Sequence, residues 1–308
     1  MKKKVSVIGA GNVGASLAQM IVQSAIADVV LFDIAEGIPQ GKAIDLSEAC
    51  PVWGSSSFVV GTNEYNPTEG SDVIVVTAGF PRKPGMSRDD LLHANAKVVS
   101  DVVENTARLS PNAVIIVVTN PMDVMAQVSL KVSGFDSRKV IGMGGVLDSA
   151  RFRTFVAWEL GVSPEDVEAL VLGGHGDLMV PMPRFTTVRG VSITELLNKE
   201  RIDALVERTR HGGAEIVALL KTGSAYYAPA ASTLQMVKSV LFDEKRMLPC
   251  AAYLQGQYGA HGVYTGVPAI LGQDGIDKIV ELKLNAQEAA DFEKSVIAVK
   301  SLVEKLNL

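Results

Sequence analysis

His175 stands in Gly174-His175-Gly176-Asp177, between an apolar strand-like run, Ala169 to Leu172, and Pro181. Flanking glycines leave an imidazole free to approach a ligand, and an ordinary histidine pKa of about 6.5 suits proton exchange near neutrality. The other histidines sit in less promising surroundings. His93 and His211 fall in helix-period segments and His261 in a glycine-rich turn, settings that read as structural or solvent-facing. Asp148 and Arg151 lie three apart in a further helical segment, so they project from one face. Paired only with each other, they would be an ion pair of little worth. With separate partners, Asp148 can orient His175 and stabilise its charged form, as a triad aspartate does. Arg151 can then hold a substrate carboxylate in a bidentate fork.

A second constellation opens the chain. Gly9-Ala10-Gly11-Asn12-Val13-Gly14 follows a strand-like run, Val5 to Ile8, and begins a helical one. This is the G-x-G-x-x-G pattern, whose glycines serve a tight turn, a close approach of backbone to pyrophosphate and close helix–strand packing. The helix's free N–H groups and positive end favour phosphate there. Glycine turns are common, but an acid about 20 residues on, at the end of the next strand, makes the pattern specific. Asp33, after Val29 to Phe32, is that acid. A carboxylate there bonds ribose hydroxyls and repels a 2′-phosphate, so the expected cofactor is NAD rather than NADP.

The elements that must position these residues are legible as an alternation. Strand-like runs at Val5 to Ile8, Val29 to Phe32, Phe58 to Val60, Val73 to Val76, Val114 to Val118 and Val140 to Gly142 are separated by helical patterns at Val13 to Ser24, Gln40 to Ala49 and about Asp90 to Leu109. Near-continuous Val/Ile runs between helices predict a parallel sheet covered on both faces. The expected fold class is α/β: an N-terminal doubly wound (Rossmann) domain over 1–142, then an α+β catalytic domain over 143–308. In that second half, helices are expected at Leu147 to Leu160, Asp203 to Leu220 and Ala286 to Leu306, and strands at Phe185 to Val188, Leu248 to Leu254 and Val267 to Leu271.

Composition agrees with a folded enzyme. Hydrophobic residues make up 47% and charged residues 20% of 308, enough for a full core. The net charge of −5 argues against a protein that coats nucleic acid or anionic membrane. Cys50 and Cys250 fit no ligand or disulfide pattern, which points to a reducing compartment and to no metal site. Lys2 to Lys4 before an uncharged stretch ending Ala25-Ile26-Ala27 imitates a signal peptide, but the glycine turn interrupts its apolar region. The chain is therefore expected to be unprocessed and cytoplasmic.

The motifs together resemble the lactate/malate dehydrogenase family, in particular its lactate-dehydrogenase-like malate dehydrogenases of bacteria. The match runs from the glycine turn through Thr119-Asn120-Pro121-Met122-Asp123 and Leu147-Asp148-Ser149-Ala150-Arg151-Phe152-Arg153 to Gly174-His175-Gly176-Asp177, in the family's order. The resemblance implies His175 as proton donor and acceptor, Asp148 as its partner and Arg151 as anchor of the substrate's C1 carboxylate. Arg88 is implied as the mobile-loop arginine that polarises the reacting carbonyl, with Gly79 and Gly85 as hinges. Asn120 would bind substrate, Val118 and Thr119 would line the nicotinamide pocket, and Asn95 would contact the cofactor. The Asn120–Pro121 bond is expected to be cis. Hydride would pass between C2 of a hydroxy acid and the nicotinamide while His175 takes or returns the hydroxyl proton.

In family terms the residue before Lys83-Pro84-Gly85 faces the substrate side chain, and here it is Arg82. A desolvated guanidinium neutralises the second carboxylate of malate or oxaloacetate, whereas lactate would leave it unpaired. Expected, then, are a dicarboxylate substrate, a place in the tricarboxylic acid cycle, and a homodimer or homotetramer. L-lactate dehydrogenase and a non-catalytic NAD-binding module are the alternatives. Intact His175, Asp148 and Arg151 oppose the module, and the lack of a metal-ligand cluster opposes an NAD-dependent glycosidase of the same fold.

Overall fold

The structure, a computed structural model, describes residues 2–80 and 87–307, with Arg88 described in its backbone only. The first half comprises β1 (Lys4–Ile8), α1 (Asn12–Gln23), β2 (Asp28–Phe32), α2 (Ile38–Trp53), β3 (Val59–Thr62), β4 (Val73–Val76), α3 (Arg88–Leu109), β5 (Val114–Val117), α4 (Met122–Ser133) and β6 (Val140–Gly142). These strands lie in the order β3-β2-β1-β4-β5-β6, every neighbouring pair parallel. β4 and β5 are buried at every position, which is why their sequences, VIVV and VIIV, do not alternate. The direction of winding reverses between β1 and β4. Right-handed crossovers therefore put α1 and α2 on one face and α3 and α4 on the other. They also open a crevice beyond the carboxyl ends of β1 and β4, where sheets of this kind bind ligands. The uncharged stretch 5–27 is β1, the turn and α1.

The second half contains α5 (Gly144–Leu160), β7 (Val167–Glu168), β8 (Val171–Leu172), β9 (Val180–Pro181), β10 (Thr187–Val188), β11 (Val191–Ser192), α6 (Ile193–Leu196), α7 (Lys199–Leu220), α8 (Tyr227–Leu241), β12 (Arg246–Gln255), β13 (His261–Gly272), β14 (Gly275–Ile279) and α9 (Ala286–Glu304). β12 and β13 form a long antiparallel hairpin that continues the first sheet, Ala251 opposite Gly142, with β14 at the far edge. One nine-stranded sheet thus runs through both halves. A strand expected at Phe185 to Val188 is shorter. Pro183–Phe185 is a 3-10 turn, because Pro183 cannot donate to a ladder, and only Thr187–Val188 pairs.

Besides the single turn α6, two helices were not foreseen, α4 and α8. Both bury small polar residues along with their apolar ones: Ser129 in α4, and Ser232, Thr233 and Ser239 in α8. Thr233 Oγ1 satisfies itself on Pro229 O, and Ser239 Oγ on Leu271 O, so no polar stripe marks a solvent face. α8 packs along α1, and α9 packs on α4 and β13. One apolar core spans the large sheet and its helices. A second gathers Phe152, Phe155, Val167, Val171 and Met179 against Ile202 and Leu205 of α7.

Both cysteines are buried and unpaired, and burial pushes the Cys250 thiol up to about 12, far from a reactive thiolate. Among the described residues no helix is long and apolar enough to cross a membrane, and no group of three or more His, Cys, Asp or Glu could hold a metal ion.

Candidate active site

The glycine turn leaves β1 at Gly9 (φ 111°) and enters α1 at Asn12, with Gly11 as its N-cap. A Cβ on Gly14 would stand 1.9 Å from Gly9 O, so only glycine lets the first turn of α1 close against β1. A Cβ on Gly11 would meet nothing within 4 Å, so the outer side of the turn is open. No side chain caps α1 and no acid lies in its first turn, which leaves its leading N–H groups for an anion. Gly11 and Asn12 are exposed, Ala10 and Gly14 buried, and Val13 intermediate. Asp33, just past β2, turns its carboxylate onto this loop. Oδ2 accepts the Ala10 N–H at 2.7 Å, and Oδ1 accepts the Ala35 N–H at 2.9 Å. Open backbone N–H groups, a close glycine turn and a neighbouring carboxylate fit the pyrophosphate and ribose of a dinucleotide.

Across the crevice, α5 brings its N-terminal turns against the loop that follows β8. A Cβ on Gly144 would sit 2.7 Å from His175 Cβ, so a glycine is what permits this approach. Asp148, 1% exposed, lies between two partners. Its Oδ2 is 2.8 Å from His175 Nδ1, and its Oδ1 accepts from Arg151 Nη1 at 3.2 Å. The Asp148 bond engages Nδ1 and leaves Nε2 for a substrate. Burial disfavours the His175 imidazolium. The charge and hydrogen bond of Asp148 outweigh it, Arg151 opposes and Asp123 adds, and the net pKa lies above the ordinary 6.5. Arg151 Nε is buried without a partner, and a Cβ on Gly213 of α7 would lie 3.5 Å from Nη2. The paired glycines Gly212 and Gly213, inside a 22-residue helix, make room for this guanidinium.

Thr119 and Asn120 follow β5, Thr119 buried and Asn120 exposed, with Val118 half-buried before them. Thr119 Oγ1 donates to Ala78 O at 2.7 Å, tying the ends of β4 and β5 together. The Asn120–Pro121 peptide is cis, as expected. Asn95, expected to contact the cofactor, is also held by the protein itself. It is 2% exposed, its Oδ1 accepts the Phe80 N–H at 2.7 Å, and its Nδ2 donates to Asn120 O at 2.7 Å. The geometry makes it a clamp between the segment at Phe80 and the Asn120 turn. Arg82, Gly85 and the side chain of Arg88 lie outside the described residues. Ser87 caps α3 reciprocally with Asp90, which starts that helix earlier than its apolar period suggests.

Sequence reasoning gave Asp123 no role. Its Oδ2 accepts the His175 main-chain N–H at 2.7 Å. Ser295, likewise overlooked, accepts the Gly174 N–H at 2.9 Å from α9. For Asp123 the available signal was an acid two residues after an Asn-Pro pair. His93, His211 and His261 are all exposed, and His211 pairs with Glu207 at 2.9 Å.

With this geometry in hand, comparison with known proteins is specific. The lactate/malate dehydrogenase NAD binding domain matches residues 3–142, and the family's alpha/beta C-terminal domain matches 145–307. The malate dehydrogenase of Thermomicrobium roseum is 58% identical over 306 residues, with 99% of each chain covered. Among solved structures, the malate dehydrogenase of Cryptosporidium parvum superposes with a TM-score of 0.97 at 45% identity, covering 100% of this chain and 99% of that one. The lactate dehydrogenase of the same organism, complexed with lactic acid and nicotinamide adenine dinucleotide, gives 0.96 at 44%, covering 100% and 98%. Near-equal scores for the two show that the backbone does not separate malate from lactate. What both share with this chain is the fold and the family: the chain belongs to the lactate/malate dehydrogenase family.

Proposed function

We propose that this chain is an NAD-dependent malate dehydrogenase that converts (S)-malate and oxaloacetate reversibly. The observation that carries the reaction type is the buried Asp148 carboxylate 2.8 Å from His175 Nδ1, with Arg151 on its other oxygen. The substrate rests on relatives named malate dehydrogenase at 53–58% identity over nearly the whole chain, and on Arg82 in the sequence. Bound NAD supplies the hydride acceptor. His175 Nε2 takes the hydroxyl proton of malate or returns it to oxaloacetate, Asp148 holds the ring and steadies its charge, and Arg151 orients the C1 carboxylate. Arg88 polarises the carbonyl, and Arg82 receives the distal carboxylate. Asn120 contacts substrate, and Val118 and Thr119 line the nicotinamide site. Gly9 to Gly14 and Asp33 hold the dinucleotide. Residues 1–142 thus hold the cofactor and lend Arg82, Arg88 and Asn120 to the substrate, while 143–308 carry His175, Asp148 and Arg151.

Self-association belongs to the same proposal. Ile44 and Val52 of α2, Phe58 just before the edge strand β3 and Val60 within it are exposed apolar side chains suited to a second copy. A cytoplasmic setting and a place in the tricarboxylic acid cycle agree with unpaired cysteines and a dicarboxylate substrate.

The test is malate-dependent reduction of NAD by the purified protein, followed by NADH absorbance. No turnover with malate at neutral or alkaline pH overturns the assignment. NADP in a parallel reaction should support turnover at least about tenfold less well, since Asp33 faces the 2′ position and tenfold needs only about 1.4 kcal/mol of repulsion. Replacing Asp33 by serine should narrow that gap. Equal use of the two cofactors by the wild type would remove Asp33 from the account.

A further inference from the structure

Asp123 has no place in the proton transfer described above, yet its carboxylate lies directly behind His175 and is 5% exposed. Oδ2 accepts the His175 N–H at 2.7 Å, and Oδ1 is buried without a hydrogen-bond partner. A buried carboxylate left half unsatisfied is costly, and burial pushes its pKa up to about 6 despite the bond from His175. Holding one main-chain N–H does not require that cost, because an asparagine oxygen accepts equally well. What an amide lacks is the negative charge.

Among the described residues, the charges around the imidazole are few. α5 contributes Asp148 and Arg151, α4 contributes Asp123, and the loop itself carries exposed Asp177. α9 faces the same loop with uncharged Ser295 and Val299, and β13 with Gly266. Arg151 opposes a proton on His175, while Asp123 and Asp148 favour it.

We propose that Asp123 is a positioning residue for His175, fixing the main chain that carries the imidazole and lending the imidazolium a second negative charge beside that of Asp148. The proposal deepens the assignment of His175 as the proton-exchanging group and rests on it. The titrations of the two groups are coupled: at neutral pH Asp123 is ionised and supports the imidazolium, and below about 6 it takes a proton and that support fades.

The experiment is an NMR titration of the His175 ring in the cofactor-free protein, its resonance assigned by its loss in His175→Asn. In Asp123→Asn the His175 pKa is expected to fall by roughly one unit. The wild-type curve itself should carry a second inflection near 6, as Asp123 gains its proton. An unmoved pKa, or a wild-type curve without that inflection, overturns the proposal. In turnover, the alkaline limb of oxaloacetate reduction should move down by the same interval, and Asp123→Ala should lower kcat further while NADH binding, read by fluorescence, persists. A limb that stays in place while kcat falls would mean Asp123 is structural only, against the proposal. The titration needs no substrate. A shifted His175 in a protein that ignores oxaloacetate would therefore keep Asp123 and overturn the substrate, whereas an unshifted one in an active enzyme would do the reverse.

Discussion

Replacing His175 by asparagine is expected to lower kcat by about 10²–10⁴-fold, the usual worth of a positioned general acid–base group. NADH affinity should be unaffected, because the glycine turn and Asp33 lie on the other side of the crevice. Asp148→Asn should cost as much, although it is nearly isosteric. The amide can donate to Nδ1 and favour the wrong tautomer, and it removes the charge that, together with the hydrogen bond, outweighs burial and raises the His175 pKa. The sign of the pH dependence follows from that raised value. Oxaloacetate reduction needs the imidazolium, so its rate should hold to a pH above 6.5 and then fall. Malate oxidation needs the neutral ring, so its rate should fall on the acid side of the same value. In Asp148→Asn both limbs should move to lower pH. Single-turnover kinetics in each direction would check this, and an Asp148→Asn enzyme within a few-fold of wild type would remove the pair from the mechanism.

The second large effect is on specificity. Arg82→Gln is expected to shift relative kcat/KM for oxaloacetate over pyruvate by about 10³-fold toward pyruvate. With oxaloacetate, the guanidinium meets the distal carboxylate in a fork. With pyruvate, the same cation is desolvated beside a methyl group and left unpaired, at a cost of several kcal/mol. Glutamine removes both the gain and the penalty, so the ratio moves from both ends. Lys83 is the neighbouring cation, and a double variant would show whether it substitutes. An unchanged ratio in Arg82→Gln would place specificity elsewhere.

Much of this site was readable because its motifs are local. Gly9, Gly14 and Asp33 sit at the ends of strands whose unbroken apolar runs announce a parallel sheet, and Asp148 and Arg151 share one helical turn. Partners distant in sequence were not readable. The hydrogen bonds from His175 to Asp123 and from Gly174 to Ser295 span 52 and 121 residues, and no period or spacing predicts them. The resemblance implies Asn95 as a cofactor contact but does not show the hydrogen bonds it makes to Phe80 and Asn120. Its burial depends on how α3 packs against the Asn120 turn, which is a tertiary fact. The β12–β13 hairpin was visible as strands, but its joining to β6 rests on Ala251 meeting Gly142. α8 escaped notice because its serines and threonine are buried, Thr233 and Ser239 bonded to main-chain oxygens.

The most direct measurement is NADH oxidation by the purified protein at neutral pH with oxaloacetate and pyruvate compared side by side. Arg82, His175 and Asp148 acting as described predict a kcat/KM for oxaloacetate on the order of 10³-fold or more above that for pyruvate. A preference for pyruvate would leave the fold, the cofactor and the His175–Asp148 pair standing and would contradict malate as the substrate.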